Sequence, residues 1–242
     1  MKIGYQISDA ARVGAVTRTL FGREVAVAAL DPRKNHGLPL AEEDKANVHA
    51  VAPRKREFRA GRVAARRAMA SLGVPPSAVG CATDRSPVWP NGVVGSISHS
   101  DTVCIAAIAR QSDIASMGVD VETDAELAPD LLDLVCTGPE LAWLVTQPQE
   151  LRRRLGTLVF SAKESVYKCQ YPLTGAVIDF DALSLRFDMK STRFEASFNQ
   201  RTGMFHSGAR IYGRFAISSG TIVTASEIRP ARVAALSQRA AQ

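Results

Sequence analysis

The last third of the chain alternates apolar and polar residues, and this alternation constrains the fold more than any other feature of the sequence. Successive side chains of a β-strand point to opposite faces, so a period of two predicts strands with one buried face. The alternating segments are "ALSLRF", "RFEASF", "ARIYGRFAIS" and "TIVTASEI", with Gly, Ser, Thr or Asn between them. They predict an antiparallel meander.

Helices and a hairpin are predicted upstream of the meander. Residues 53–72 have apolar residues at helical spacing, begin with Pro53 and are followed by Gly73 and two prolines, which suits a helix start and stop. Strands are predicted at 23–30, 93–98 and 102–109, the last two forming a hairpin, and a second helix is centred on 155–170. The pattern predicts an α+β fold in two halves that meet near residues 111–117, with a shared cleft as the natural site.

Composition narrows the class of protein without choosing a function. The chain has 242 residues, 46% hydrophobic and 22% charged, as in ordinary globular proteins. We expect a cytoplasmic protein with no membrane span, because the N-terminus lacks the apolar core of a signal peptide and the four cysteines are dispersed without metal-ligand spacing. The net charge of +6 indicates an anionic partner, which could be a nucleic acid, a phosphorylated small molecule or an acidic protein.

The strand "GVDVE" at residues 118–122 contains two acids. Asp120 and Glu122 lie on one side of the strand, while Val119 and Val121 face the core. Neighbouring like charges are unfavourable unless a cation lies between them. The alternative is a solvated outer face of an edge strand. Gly118 would allow another element to approach closely.

The helix segment "FSAKESVYK" could complete a metal site. Glu164 and Lys168 are four residues apart and share a face, and Lys163 lies about 100° around the helix from Glu164. Taken alone, this is a surface ion pair of little consequence. Together with Asp120 and Glu122, Glu164 would form an all-oxygen site suited to Mg²⁺.

Two further groups are candidates for binding an anion. Ser98, His99 and Ser100 in the predicted hairpin turn could face a phosphate, although a turn histidine is often only structural. No G-x-S-x-G motif accompanies them, which argues against a serine hydrolase. The helix at 53–72 carries seven basic residues and one acid. The basic face of this helix is either simply solvated, or binds nucleic acid, or binds a smaller anion. A nucleic-acid-binding surface usually has aromatic residues between the basic ones, and this helix lacks that pattern.

These segments resemble the signature motifs of a known family. "VWPNGVVGSISHS", "GVDVE" and "FSAKESVYK" are similar, in order and spacing, to the three motifs of 4′-phosphopantetheinyl transferases of the Sfp/EntD class, in the subgroup of enterobactin synthetase component D. "RKREFRAGRVAARRAMASLGV" resembles the coenzyme A-binding helix of that subgroup. The resemblance spans about residues 50–185.

The resemblance implies a fold, a reaction and partners. The fold would be two similar α/β subdomains, at 1–113 and 114–242, related by a pseudo-twofold with the site between them. The reaction would be Mg²⁺-dependent transfer of 4′-phosphopantetheine from coenzyme A to a serine of an acyl or peptidyl carrier protein. We expect a monomer without a nucleic-acid partner that serves siderophore, polyketide or non-ribosomal peptide synthesis. The alternative is a metal-dependent phosphohydrolase acting on a nucleotide-like pyrophosphate.

The resemblance also assigns catalytic roles. Asp120, Glu122 and Glu164 match the metal ligands, and Glu164 also matches the proposed general base. Lys163 and Lys168 match the lysines beside the pyrophosphate.

Other positions match contacts with coenzyme A. His99 matches the histidine that contacts a coenzyme A phosphate, next to the candidate Ser98, and Arg54 and Arg62 match the arginines assigned to the 3′-phosphate. Where some relatives have a lysine after a double proline, this chain has a cysteine, Cys81. That contact is then either missing or supplied by Arg85.

Overall fold

The computed structural model describes residues 9–37, 39–44 and 51–240. The N-terminal octapeptide, part of the segment in which no signal peptide is predicted, lies outside the described residues. The first half contains α1 (Asp9–Thr19), β1 (Val25–Leu30), α2 (Ala41–Asp44), α3 (Ala52–Ser71), β2 (Gly80–Cys81), β3 (Pro87–Val88), β4 (Val93–His99) and β5 (Cys104–Arg110).

The second half begins with a strand and ends with a helix. It contains β6 (Ser116–Thr123), α4 (Pro129–Val135), α5 (Gly138–Val145), α6 (Arg152–Thr174), a 3₁₀ turn (Phe180–Ala182), β7 (Leu183–Asp188), β8 (Arg193–Phe198), β9 (Arg210–Ser218), β10 (Thr221–Ile228) and α7 (Pro230–Ala240). The predicted basic helix, hairpin, acidic strand, second helix and meander are all confirmed.

Two antiparallel sheets form the framework. The first has the strand order β1-β5-β4, and the second has the order β6-β10-β9-β8-β7. Helix α3 packs on one face of the first sheet through small side chains such as Ala64 and Ala68, which belong to one buried cluster with Ala106 and Ile108 of β5. Helix α6 packs on one face of the second sheet.

The other faces of the two sheets enclose a shared core. Ile105 and Ala107 of β5 belong to one buried cluster with Val119 and Val121 of β6 and Val223 of β10. The valines of "GVDVE" therefore face the core, as predicted, and Asp120 and Glu122 lie on the opposite side of β6, toward α6.

Gly118 fixes how closely α6 approaches β6. A Cβ atom at Gly118 would lie 1.8 Å from the carbonyl oxygen of Ser165 on α6, which no side chain can do without displacing the helix. The close approach that this glycine was predicted to allow is confirmed.

Hydroxyl groups of β6 and β10 hold the same face of α6. They donate hydrogen bonds to carbonyl oxygens on three successive turns of the helix: Thr224 to Ser161 (2.7 Å), Ser226 to Ser165 (2.9 Å) and Ser116 to Cys169 (2.6 Å). The axial position of α6 is therefore set by specific polar contacts as well as by apolar packing.

The mixed helix-and-sheet class is as predicted. Each half has a long helix on an antiparallel sheet, with three strands in one sheet and five in the other. The pseudo-twofold relation and the domain boundary stay predictions. Among the described residues, no helix is long and apolar enough to cross a membrane.

Candidate active site

Asp120 lies where β4, β6 and α6 meet. Its side chain is 3% exposed, and Oδ1 accepts hydrogen bonds from Ser98 Oγ on β4 (2.8 Å) and Lys168 Nζ on α6 (2.6 Å). Lys168 also donates to Ser98 Oγ at 3.2 Å. The edges of the two sheets meet here as well, since the backbone N–H of Val121 donates to Ser98 Oγ at 3.3 Å. Residues from both halves of the chain therefore build one polar cluster.

The second oxygen of Asp120 has no partner. Asp120 Oδ2 is buried and accepts no hydrogen bond from the described residues. A buried carboxylate oxygen without a donor is unfavourable, and native proteins satisfy nearly all such atoms. This atom therefore marks a position for a cation or a hydrogen-bond donor.

Negative charge accumulates around Asp120. Burial raises the pKa of Glu122 to about 7, with the charges of Asp120 and Glu164 acting in the same direction. Burial and the charge of Asp120 also raise the pKa of Glu164, against the effect of Lys168. Burial alone would lower the pKa of Lys168, but Asp120 and the two glutamates outweigh it and raise that pKa. Three carboxylates thus share one ammonium group.

The donor chemistry of these carboxylates fits Mg²⁺, which prefers oxygen ligands. The unpartnered Asp120 Oδ2 is a suitable first ligand atom. The other carboxylates stand apart from it: within the described part of the chain, no three His, Cys, Asp or Glu side chains are gathered closely enough to hold a metal ion.

A second polar group lies on the α3 side of β4. Arg54, in the first turn of α3, donates from Nη1 to His99 Nε2 at 2.7 Å, and His99 Nδ1 lies 3.6 Å from Glu57 Oε2. Burial lowers the pKa of His99, and this effect together with the charge of Arg54 outweighs the charge of Glu57, which raises it. The lowered pKa favours a neutral ring that accepts from arginine. The Arg54 side chain is 52% exposed. The structure thus brings Arg54 and His99 together, and the partly exposed Arg54 guanidinium also lies 3.6 Å from Glu57 Oε2.

Comparisons with known proteins identify the family of this chain. A model of the 4′-phosphopantetheinyl transferase N-terminal domain matches residues 41–109, and a model of the 4′-phosphopantetheinyl transferase superfamily matches residues 116–218. The chain is 37% identical over 172 residues to 4′-phosphopantetheinyl transferase Npt of Nocardia iowensis, covering 71% of this chain and 75% of the relative. The chain belongs to the 4′-phosphopantetheinyl transferase family.

Two further relatives place it within that family. It is 39% identical over 191 residues to 4′-phosphopantetheinyl transferase Svp of Streptomyces mobaraensis, covering 77% of each chain. It is also 42% identical over 121 residues to enterobactin synthase component D of Salmonella typhimurium, covering 48% of this chain and 47% of the relative. The chain is therefore a transferase of the Sfp/EntD class, as the motifs predicted.

Lys163 of this transferase does not have the predicted position. Its ammonium donates to the carbonyl oxygens of Val135 (2.8 Å) and Phe180 (2.9 Å) and pairs with Glu140 (2.8 Å), and its side chain is 1% exposed. All three of its N–H donors are used inside the second half of the protein. We correct the prediction: Lys163 anchors α6 to α4, α5 and the 3₁₀ turn, and only Lys168 is available to a pyrophosphate.

The side chains of Ser98 and Arg62 also form hydrogen bonds within the protein instead of facing a ligand. The Ser98 hydroxyl donates to Asp120 and accepts from Lys168 and Val121, which fills its capacity and leaves nothing for a phosphate. Arg62 is 5% exposed and donates to the carbonyl oxygens of Val79 and Gly80 at 2.9 and 3.0 Å. Contrary to the prediction, Arg62 holds the strand that leads into β2, and Arg54 alone presents a partly exposed guanidinium beside His99.

Arg85 occupies the turn between β2 and β3. Its side chain is exposed and its backbone φ of 70° is left-handed. The neighbouring Asp84 accepts a hydrogen bond from Tyr171 of α6, a contact between the two halves that the sequence did not reveal. The replacement of the expected lysine near Cys81 by Arg85 stays a prediction.

Proposed function

We propose that this transferase moves 4′-phosphopantetheine from coenzyme A to a serine hydroxyl of an apo carrier protein, releases adenosine 3′,5′-bisphosphate and requires Mg²⁺. The observation that carries the proposal is the buried Asp120. One of its oxygens is held by Ser98 and Lys168 and the other has no partner, in a chain whose family transfers phosphopantetheine.

Two residues of α6 act in the chemical step of the proposed reaction. The serine oxygen bonds to the phosphorus that carries pantetheine, and the bond from that phosphorus to the bridging oxygen breaks. Glu164 takes the serine proton, a role favoured by its raised pKa. Lys168, whose side chain is 27% exposed, stabilises the phosphate that leaves with the nucleotide.

The remaining residues bind and orient. Asp120, Glu122 and Glu164 are the proposed ligands of Mg²⁺, which when bound neutralises charge on the pyrophosphate. Because the three carboxylates are not gathered closely enough in this structure to hold the ion, its binding requires the two glutamates to approach Asp120. Arg54 and His99 form the anion-binding pair for the 3′-phosphate of coenzyme A, because a guanidinium presents paired donors to phosphate oxygens.

The acceptor is an acyl or peptidyl carrier protein of siderophore, polyketide or non-ribosomal peptide synthesis. Relatives named enterobactin synthase component D support the siderophore assignment. No observation favours the phosphohydrolase alternative.

Mass spectrometry of a panel of apo carrier proteins tests the proposal. With enzyme, coenzyme A and Mg²⁺, at least one carrier should gain one phosphopantetheine group, and the same carrier with its acceptor Ser→Ala should gain none. Removal of Mg²⁺ by EDTA and the Asp120→Ala variant should each abolish the gain. Release of nucleotide from coenzyme A without any carrier would instead identify a hydrolase and contradict the proposal.

A further inference from the structure

A cavity of about 550 Å³ opens on the face of the second sheet that is turned away from α6. The N-terminal half packs on this face over β6 and β10. The cavity lies beside that contact, toward β9 and β8. Leu20 and Phe21 after α1 and Ala225 of β10 contribute apolar lining. Its volume is in the range of small-molecule sites, which span about 300–1,000 Å³. The catalytic cluster lies on the opposite side of the sheet.

Arginine dominates the polar lining of this cavity. Five arginines and one acid, Glu227, line it, and the arginines are Arg193, Arg210, Arg214, Arg229 and Arg232. Arg210 pairs with Glu195 at 3.3 Å, and Arg229 pairs with Glu24 and Glu227. Among the described residues, the other three arginines form no ion pair.

Two of these three arginines are direct neighbours. Arg193 of β8 and Arg214 of β9 face each other across the antiparallel pair, where like charges are destabilising. Asp188, the cross-strand neighbour on the other side of Arg193, accepts hydrogen bonds from the Ser191 hydroxyl and from the backbone N–H groups of Lys190 and Ser191. The charge of Arg193 acts on Asp188 and that of Arg214 acts on Glu227, but neither carboxylate is within ion-pair distance of these arginines. A bound anion between the two guanidinium groups would remove the repulsion.

We propose that this cavity is a binding site for a small organic phosphate, with Arg193, Arg214 and Arg232 contacting the phosphate and the apolar lining contacting the organic part. Guanidinium groups match phosphate oxygens in geometry and charge. The concave shape favours a small molecule over an extended polyanion. The site is separate from the proposed transfer reaction and does not depend on it.

Fluorine NMR can test this site independently of the catalytic cleft. The chain has four tyrosines. Tyr212, which is 59% exposed, lines the cavity, whereas Tyr167 and Tyr171 lie on α6 beside the catalytic cluster. In protein labelled with 3-fluorotyrosine, each resonance is assigned by its Tyr→Phe variant and tripolyphosphate is titrated without metal. We expect the Tyr212 resonance to move with a saturable midpoint.

Matched double variants decide whether the arginines are responsible. Arg193→Gln with Arg214→Gln should raise the Tyr212 midpoint tenfold or more, as expected for loss of charge-assisted hydrogen bonds. The control, Arg186→Gln with Lys190→Gln, removes two exposed charges outside the lining and should leave the midpoint unchanged. A Tyr212 resonance that does not move, or an equal effect of both double variants, would overturn the proposal.

Discussion

At the scale of residues, Glu122 shows the electrostatic cost of burying several carboxylates in one cluster. It is close enough to Asp120 and Glu164 for their charges to add to the effect of burial on its pKa. On folding without metal, the Glu122 carboxyl must therefore either stay charged in a poorly solvated place or bind a proton.

The pH dependence of stability should reveal this residue. Its pKa is about 7 in the folded protein against an ordinary value of 4.5, so between these values the folded state binds more protons than the unfolded state. Stability is therefore lost as the pH rises from about 4.5 to about 7 and stays lower above it. Without metal, Glu122→Gln should be more stable than wild type by about 1–2 kcal/mol at pH 8, allowing for solvent screening, and similar to it near pH 4.

Urea unfolding in EDTA across this range measures the effect. Glu150→Gln, at an exposed position, is the control and should change stability little at either pH. An advantage of Glu122→Gln that is the same at pH 4 and pH 8 would show that charge is not its cause.

The sequence predicts the side of β6 on which the acids lie, but it treats the two lysines of "FSAKESVYK" alike. Five residues on a helix correspond to about 500°, so Lys163 and Lys168 point about 140° apart and cannot both face one site. Helical periodicity alone could have separated them. The buried partner of Lys163, Glu140, could not be predicted, because it comes from α5 and nothing local links the two.

At the scale of elements, the contact between α6 and β6 positions the residues to which we assign the proposed reaction. Glu164 and Lys168 belong to the helix, Asp120 and Glu122 belong to the strand, and Gly118 determines the distance between them. A shift of α6 would therefore move Glu164 and Lys168 relative to Asp120 and Glu122.

Gly118→Ala should displace α6 and impair both stability and turnover. The new Cβ would lie 1.8 Å from the Ser165 carbonyl oxygen, so backbone must move. We expect a loss of about 1–3 kcal/mol, the usual effect of overpacking, and a fall in kcat per folded molecule. Gly138→Ala at the start of α5 is the control, since a Cβ there meets nothing within 4 Å. Urea unfolding and turnover measure both effects. Full kcat in folded Gly118→Ala would show that the close approach is not needed.

Period-two alternation predicts the strands of the meander because each has one buried face. It does not predict the order of the second sheet, in which β10 at the end of the chain pairs with β6 rather than β7. Nor does the alternation show that α6 covers the acidic side of β6. The sequence of β6 is equally compatible with an edge strand whose acidic side faces solvent. Both features depend on contacts between residues distant in the chain.

At the scale of the whole molecule, several kinds of contact join the two halves. They share the core between the sheets, the β4 hydroxyls of Ser96 and Ser98 accept backbone hydrogen bonds from β6, and Tyr171 of α6 donates to Asp84 in the β2–β3 turn. The sequence predicted two halves and a cleft between them. It could not predict the Tyr171–Asp84 contact, because an exposed turn and an exposed helix position carry no periodic signal.

Loss of the Tyr171 hydroxyl should weaken coenzyme A binding more than catalysis. Tyr171 is one turn beyond Lys168 on α6, and Asp84 precedes Arg85, so their hydrogen bond ties the β2–β3 turn to the catalytic helix. The hydrogen bonds from Tyr171 and Ser86 lower the pKa of Asp84 to about 2, so its carboxylate stays charged at working pH. Tyr171→Phe keeps the ring that stacks on Tyr167, at 5.6 Å between centroids. We expect KM for coenzyme A to rise about fivefold with kcat nearly unchanged, because one hydrogen bond contributes about 1 kcal/mol.

A double-mutant cycle with Asp84→Asn separates this contact from other effects of the two side chains. If the hydrogen bond holds the turn, either single variant already breaks it, and the double variant should have a KM close to that of each single variant. Turnover at saturating coenzyme A should be similar in all four proteins, because none of the changes touches Asp120, Glu164 or Lys168. Multiplicative increases in KM would mean that Tyr171 and Asp84 act separately. A fall in kcat for Tyr171→Phe would place its hydroxyl in the chemical step instead of in the contact between α6 and the β2–β3 turn.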